Sequence, residues 1–134
     1  MTKKSISSTI QPIARGDDEA SFAYSSFKKI AMKETSVLAV KFNSILPSEE
    51  LNAVCEKDLF KFRKVPGLVQ KYYIVEESSG ALSGLYFFES KAARTAFWNS
   101  PLAKEIPGRY GVIPESLRVE QYEIDIILNE AVEA

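Results

Sequence analysis

The sequence predicts an α+β domain in which two helices lie on one face of a four-stranded antiparallel sheet, preceded by an N-terminal arm. Three observations predict it. Runs rich in aromatic and β-branched residues recur four times after residue 35. Stretches of helical period separate the first run from the second and the third from the fourth. The second and third runs are joined only by a short segment around Ser78-Ser79-Gly80, the mark of a hairpin.

Taken in order, "SVLAVKFN" at 36–43 is the first strand, with Val37, Val40 and Phe42 supplying β-propensity. Pro47 and Ser48 open a helix, with Ser48 expected at the N-cap and Glu49 and Glu50 in the first turn, where the helix dipole favours them. Leu51, Val54, Cys55, Leu59 and Phe62 then follow helical spacing, and Asp58 is the one polar break in that stripe. Pro66 and Gly67 end the helix. Strand two runs over 68–76 and strand three over 82–88. Ser90 caps a second helix carrying Ala92, Ala93, Ala96 and Phe97, which stops near Asn99-Ser100-Pro101. "LAKEIPGRYGVIPES" reads as irregular, and "LRVEQYEIDII" at 117–127 is the fourth strand. The order β-α-β-β-α-β is the ferredoxin-like arrangement. Residues 1–34 have no sustained period and form the arm, with a short helix expected near Phe22 to Met32; residues 35–134 form the domain. Phe22, Tyr24 and Phe27 are too many aromatics for a solvated tail, so the arm is expected to dock on its own domain or on a neighbour.

The chain has 134 residues, enough for one domain with a sizeable core. No apolar run approaches the roughly 18 residues needed to cross a bilayer, and no signal-peptide core follows the N terminus, so no membrane partner is expected and the cytoplasm is the expected location. With no histidine, the chain cannot itself build a Ser-His-Asp triad, an HExxH zinc site or a histidine-ligated haem. One cysteine, Cys55, allows neither an internal disulfide nor a thiolate cluster and is read as a buried small hydrophobe. No metal site is expected. A net charge of −1 gives no general attraction to nucleic acid, and Lys57, Lys61, Arg63 and Lys64 are read as a solvated helix face.

The hairpin is apolar on both sides. One face carries Val69, Lys71, Tyr73 and Val75 beside Leu82, Gly84, Tyr86 and Phe88. The other carries Leu68, Gln70, Tyr72 and Ile74 beside Ala81, Ser83, Leu85 and Phe87. Two helices cover only one face, and hiding the apolar side chains of the other is worth on the order of 10 kcal/mol before association costs. A second copy related by a two-fold axis is the simplest cover, so a homodimer is expected through Leu68, Tyr72, Ile74, Leu85 and Phe87.

"VPGLVQKYYIVEESSGALSGLYFFESKAARTAFW" resembles the central stretch of the YdhR family of monooxygenase-like proteins, within the dimeric α+β barrel superfamily. The resemblance is carried by Pro66-Gly67-Leu68, Lys71, Tyr73, Gly84, Tyr86, Phe88, Ser90 and the Ala96-Phe97 pair. It is loose over the last strand and absent over 1–34. This chain has Ser83-Gly84 where the family often has Gly-Gly, and Gln70 where an aromatic is common, so the pocket and its substrate can differ. The resemblance implies a dimeric α+β barrel. It also implies oxidation of a small hydroxylated aromatic or quinol by dioxygen without metal or flavin, the deprotonated substrate supplying the electrons.

Such a site needs a water-excluding aromatic cavity and a few polar groups for the developing oxyanion. Tyr73, Tyr86, Phe88 and Trp98 are candidate walls; Lys71, Asn43 and Arg109 are candidate polar groups. Gly84 either admits a ligand or makes room for Tyr73 or a helix side chain. For Lys71 the plainer reading is a salt bridge to a carboxylate, for Trp98 simple packing, and for Arg109 an ordinary surface arginine. No general base is identifiable, and without histidine the choice narrows to a carboxylate, a tyrosine or a lysine. Two readings stay open: a cofactor-independent monooxygenase, or a non-catalytic dimer that binds a small apolar or aromatic ligand or stabilises a partner. A haem-degrading role is weakened by the missing proximal histidine.

Overall fold

Strands β1 (Ser36–Phe42), β2 (Leu68–Val75), β3 (Leu82–Phe88) and β4 (Arg118–Glu123) form one sheet in the spatial order β2-β3-β1-β4, as seen in a computed structural model that describes residues 33–129. All three strand pairs are antiparallel. Helix α1 (Ser48–Arg63) joins β1 to β2, and α2 (Lys91–Trp98) follows β3. This is the ferredoxin-like α+β arrangement that the element order implies. The helix expected near Phe22 to Met32, and the aromatics Phe22, Tyr24 and Phe27, lie outside the described residues.

The core forms where the helices meet one face of the two central strands. Leu38, Val40 and Phe42 of β1 and Leu82, Tyr86 and Phe88 of β3 alternate inward and meet Leu51, Cys55 and Phe62 of α1 and Phe97 of α2. Cys55 is buried and unpaired, as its place on the α1 stripe implies. The segment after α2 is more regular than expected. Two single-turn helices, α3 (Pro101–Lys104) and α4 (Ile106–Arg109), and a 3₁₀ turn (Pro114–Ser116) carry Ala103, Ile106 and Tyr110 into the core.

Three local expectations are corrected. Ser48 does not cap α1: Pro47 occupies the N-cap in an extended conformation, and its carbonyl accepts the Leu51 N–H at 2.9 Å, so Ser48 is already helical. The fourth strand ends at Glu123, not Ile127, because the ladder closes with the Ile124 N–H donating to Thr35 O, just before β1 begins. Leu68 does not belong to the helix-free face. A β-bulge between Leu68 and Gln70 shifts the register by one residue, which turns Leu68 inward opposite Phe88 and buries it.

Beyond the bulge the hairpin faces are as the alternation predicts: Lys71 pairs with Tyr86 and Tyr73 with Gly84, while Tyr72 pairs with Leu85 and Ile74 with Ser83. Ser90 caps α2, its side chain accepting the Ala93 N–H at 3.0 Å. At the α1–β2 corner Gly67 has φ +77°, and a Cβ there would stand 2.5 Å from the Cβ of Ala93. Only glycine turns this corner so close to α2.

Candidate active site

The inward face of the β2–β3 hairpin sets Lys71 among three aromatic rings. Its Nζ lies 3.4 Å from the ring centroid of Phe62, 4.1 Å from that of Tyr73 and 4.4 Å from that of Tyr86. It also donates a hydrogen bond to Tyr73 Oη at 2.8 Å. Gly84 makes this packing possible: a Cβ there would come within 3.0 Å of the Tyr86 ring and 3.4 Å of Lys71 Cε. The space left by the missing side chain is thus taken by Tyr86 and Lys71.

The expected salt bridge to Lys71 is absent. Among the described residues no carboxylate lies within ion-pair distance of it. Burial accordingly pulls the Lys71 ammonium down from 10.5 to about 7, with Cys55 and Asp58 opposing weakly. The ring faces also favour the charged form. The amine therefore gains and loses its proton in the physiological range. Burial pushes the Tyr73 and Tyr86 hydroxyls well above the ordinary phenol value, so both stay protonated.

Lys71, Tyr73, Gly84 and Tyr86 share a cavity with Val40, Phe42, Leu82, Ile106 and Tyr110. It leaves about 10 Å³ for the centre of a water molecule, room for a single water. The other sequence candidates stand elsewhere. Phe88 is wholly buried behind Tyr86, stacked at 6.3 Å between centroids. Trp98 packs half-buried against the core at the end of α2. Asn43 closes β1 onto the 3₁₀ turn, its N–H donating to Ser116 Oγ at 2.8 Å. Arg109 reaches the site only indirectly, through Asp58.

Asp58 explains the polar break in the α1 stripe. It is 2% exposed. Arg109 donates to it twice, from Nε and Nη2, both at 2.7 Å, and Tyr110 Oη donates at 3.0 Å. Lys61 Nζ stands 3.6 Å away. The Arg109 hydrogen bonds hold the Asp58 carboxyl below its ordinary value against the opposing effect of burial. Tyr110 lines the same cavity as Tyr73, and its ring stacks on Phe42 at 6.4 Å. Sequence reasoning missed Asp58, Tyr110 and Phe62 as parts of the site. The only signal was the carboxylate interrupting an otherwise apolar helix face.

A wider groove of about 650 Å³ runs between the end of α1 and α2, lined mainly by Val65, Pro66, Ala92, Ala93, Ala96 and Phe97. Phe97 lies 5.0 Å from Tyr86 and 6.2 Å from Phe62 between centroids, so one ring separates this groove from the lysine cage.

The same fold occurs in solved structures of low sequence identity. A monooxygenase from the gene ActVA-Orf6 of Streptomyces coelicolor, in complex with the ligand nanaomycin D, matches with a TM-score of 0.58 and 18% identity over 72% of this chain and 93% of that one. SnoaB, a cofactor-independent oxygenase from Streptomyces nogalater, matches with a TM-score of 0.53 and 11% identity over 72% and 97%. A protein of unknown function from Nitrosomonas europaea, NE2512, gives 0.56 and 15% over 75% and 96%. The chain shares its fold with these three proteins. No family model matches it, and no curated protein does. Among the described residues no three potential metal ligands of the His, Cys, Asp and Glu types come together, and no helix is long and apolar enough to cross a membrane.

Proposed function

We propose that this chain is a cofactor-independent monooxygenase of a small hydroxylated aromatic or quinol, acting as a cytoplasmic homodimer of α+β domains, each preceded by the arm at 1–34. The observation that carries the reading is Lys71: an amine with no carboxylate partner among the described residues, held among aromatic rings, whose burial pulls it down to about 7. This supplies the base that the sequence lacked. Supporting it, two neighbours of the same fold are oxygenases.

In this reading neutral Lys71 removes the proton of a substrate hydroxyl, and the resulting ammonium holds the phenolate in place. The phenolate passes electrons to dioxygen, and a bond forms between ring carbon and oxygen. The peroxide takes the proton back from Lys71, and the hydroperoxide so made loses water, its hydroxyl leaving with the hydrogen of that ring carbon, so that a carbonyl remains, with one oxygen atom in product and one in water. Lys71, Tyr73, Gly84 and Tyr86 form the substrate wall, with Tyr110 at its end. The cavity is small for such a substrate, so Tyr73, half-buried on the edge strand β2, turns outward to admit it while Lys71 stays among the rings of Phe62 and Tyr86.

The groove of about 650 Å³ between α1 and α2 favours a second reading, a protein that binds a small ligand without turning it over. Oxygen uptake with a panel of hydroquinones and hydroxylated aromatics, run beside the ligand-induced change in Tm, separates the two. The expected result is uptake that Lys71→Met lowers by about 100-fold or more. Heat protection without uptake across the whole panel would leave only the binding reading.

A further inference from the structure

A buried amine that sheds its proton readily is a nucleophile as well as a base. Lys41 and Lys61 lie against the carboxylates of Glu76 and Asp58, and Lys64 lies over the ring of Phe60. Lys71 differs from these: among the described residues no ion pair holds its proton. Its Nζ lies 3.4 Å from the ring centroid of Phe62 and 4.4 Å from that of Tyr86, and donates to Tyr73 Oη at 2.8 Å. The residue also borders the one-water cavity that Gly84, Leu82 and Tyr110 help to line. Cys55 does not compete as a nucleophile, because burial pushes its thiol up and keeps it protonated.

We propose that Lys71 is a covalent capture site for a small aliphatic aldehyde, which it holds as an imine inside the Phe62–Tyr86 cage. The site uses the same amine as the reading above but neither dioxygen nor any oxidation, so the two stand or fall separately. The cavity restricts the carbonyl partner to a small one, and an aldehyde, with a hydrogen on its carbonyl carbon, is the least hindered.

The step balances without a co-reactant. The nitrogen lone pair attacks the carbonyl carbon while the pair of the C=O π bond moves to oxygen. Tyr73 Oη, in contact with Nζ, passes a proton to that oxygen and takes one from nitrogen, giving the carbinolamine. The carbon–oxygen bond then breaks as the C=N bond forms. The carbonyl oxygen leaves as water with the two hydrogens of the former amine, and nothing is oxidised or reduced. When the imine takes a proton from water it becomes a cation, which the faces of Phe62 and Tyr86 favour as they do the ammonium. No carboxylate is needed to hold it there.

The test treats the full chain at pH 7 with acetaldehyde and sodium cyanoborohydride, which fixes the imine as an ethyl group, and maps the label by peptide mass spectrometry. At that pH about half of the Lys71 amine is neutral, against less than about one part in a thousand for a lysine at the ordinary value. Even with access slowed by burial, Lys71 should be ethylated at least about ten-fold faster than the exposed Lys57 and Lys91. Mapping locates the label directly, so the result does not depend on a variant that folds. Ethylation of Lys71 no faster than that of Lys57 and Lys91 would overturn the proposal. Tyr73→Phe, compared with the parent at its own Lys71 titration midpoint, should slow ethylation of Lys71 about ten-fold, and an unaltered rate would overturn the role given to Tyr73. Selective ethylation without oxygen uptake on any hydroquinone would uphold the capture site while the monooxygenase reading fails. Uptake without selective ethylation would leave Lys71 as a base and sink the capture site.

Discussion

Lys71 opposes folding wherever the unfolded chain would carry its charge. Its value falls from 10.5 to about 7 on folding, so the unfolded state binds the extra proton between those two pH values. The sign follows: the cost is full below about pH 7, is relieved as pH rises, and vanishes above about 10.5. At about 1.4 kcal/mol per pH unit the ceiling is roughly 5 kcal/mol. Lys71→Met keeps the bulk and removes the charge, so urea unfolding should find the variant more stable at pH 6, with the advantage shrinking steadily toward pH 10. Parallel stability curves for variant and parent would contradict a buried, unpaired amine. Asp58 behaves in the opposite sense. Its carboxyl is depressed, so its contribution is present above about 3.8 and fades as pH falls below that value. Asp58→Asn should cost about 1–3 kcal/mol at pH 7, since it breaks the bidentate bond of a half-exposed arginine, and progressively less as pH falls through the depressed carboxyl value. Alternation along the hairpin was enough to gather Lys71, Tyr73, Gly84 and Tyr86 on one wall. The Asp58–Tyr110 contact was not legible, because it joins a helix to a loop 52 residues away and neither partner carries a local sign of the other.

At the scale of elements, period and turn chemistry located every strand and both main helices, and the errors fall where a single backbone feature overrides the pattern. Leu68 reads as outward by strict alternation, and one bulged residue turns it into the core. The same α1–β2 corner depends on Gly67. Its φ of +77° and its place against Ala93 penalise any side chain in two separate ways. Gly67→Ala should therefore cost about 2–4 kcal/mol, part of it backbone strain and part of it the clash. Adding Ala93→Gly should relieve the clash and leave the strain, so the double variant should recover only part of the loss in chemical unfolding. Full recovery would mean that the backbone conformation at Gly67 is not strained for alanine. The last strand shows the converse limit: its residues favour β-structure through Ile127, but a strand ends where its partner does, and the pairing with β1 closes at the Ile124 N–H to Thr35 O bond.

At the scale of the whole molecule, the sheet face opposite the helices leaves large apolar side chains exposed among the described residues. Tyr72, Ile74 and Tyr122 are 53%, 49% and 51% exposed, and Leu85, Phe87, Val37 and Ala39 lie between them in the register. Tyr72 and Phe87 already pack edge to face at 5.9 Å, forming a rigid centre of the sort that anchors an interface. A face of this kind is what the proposed homodimer would bury, now without Leu68. Size-exclusion with light scattering should give twice the chain mass at micromolar concentration, and Phe87→Lys should yield monomers. The lysine cage lies on the other face and is built wholly from residues of one chain, namely Phe62, Tyr73 and Tyr86 around Lys71. Dissociation should therefore leave the Lys71 titration near pH 7, as read by NMR on the Phe87→Lys monomer. A midpoint returned toward 10 would mean that the partner, and not the chain's own rings and helices, keeps water from the amine, and the assignment of the two faces to separate tasks would fall with it.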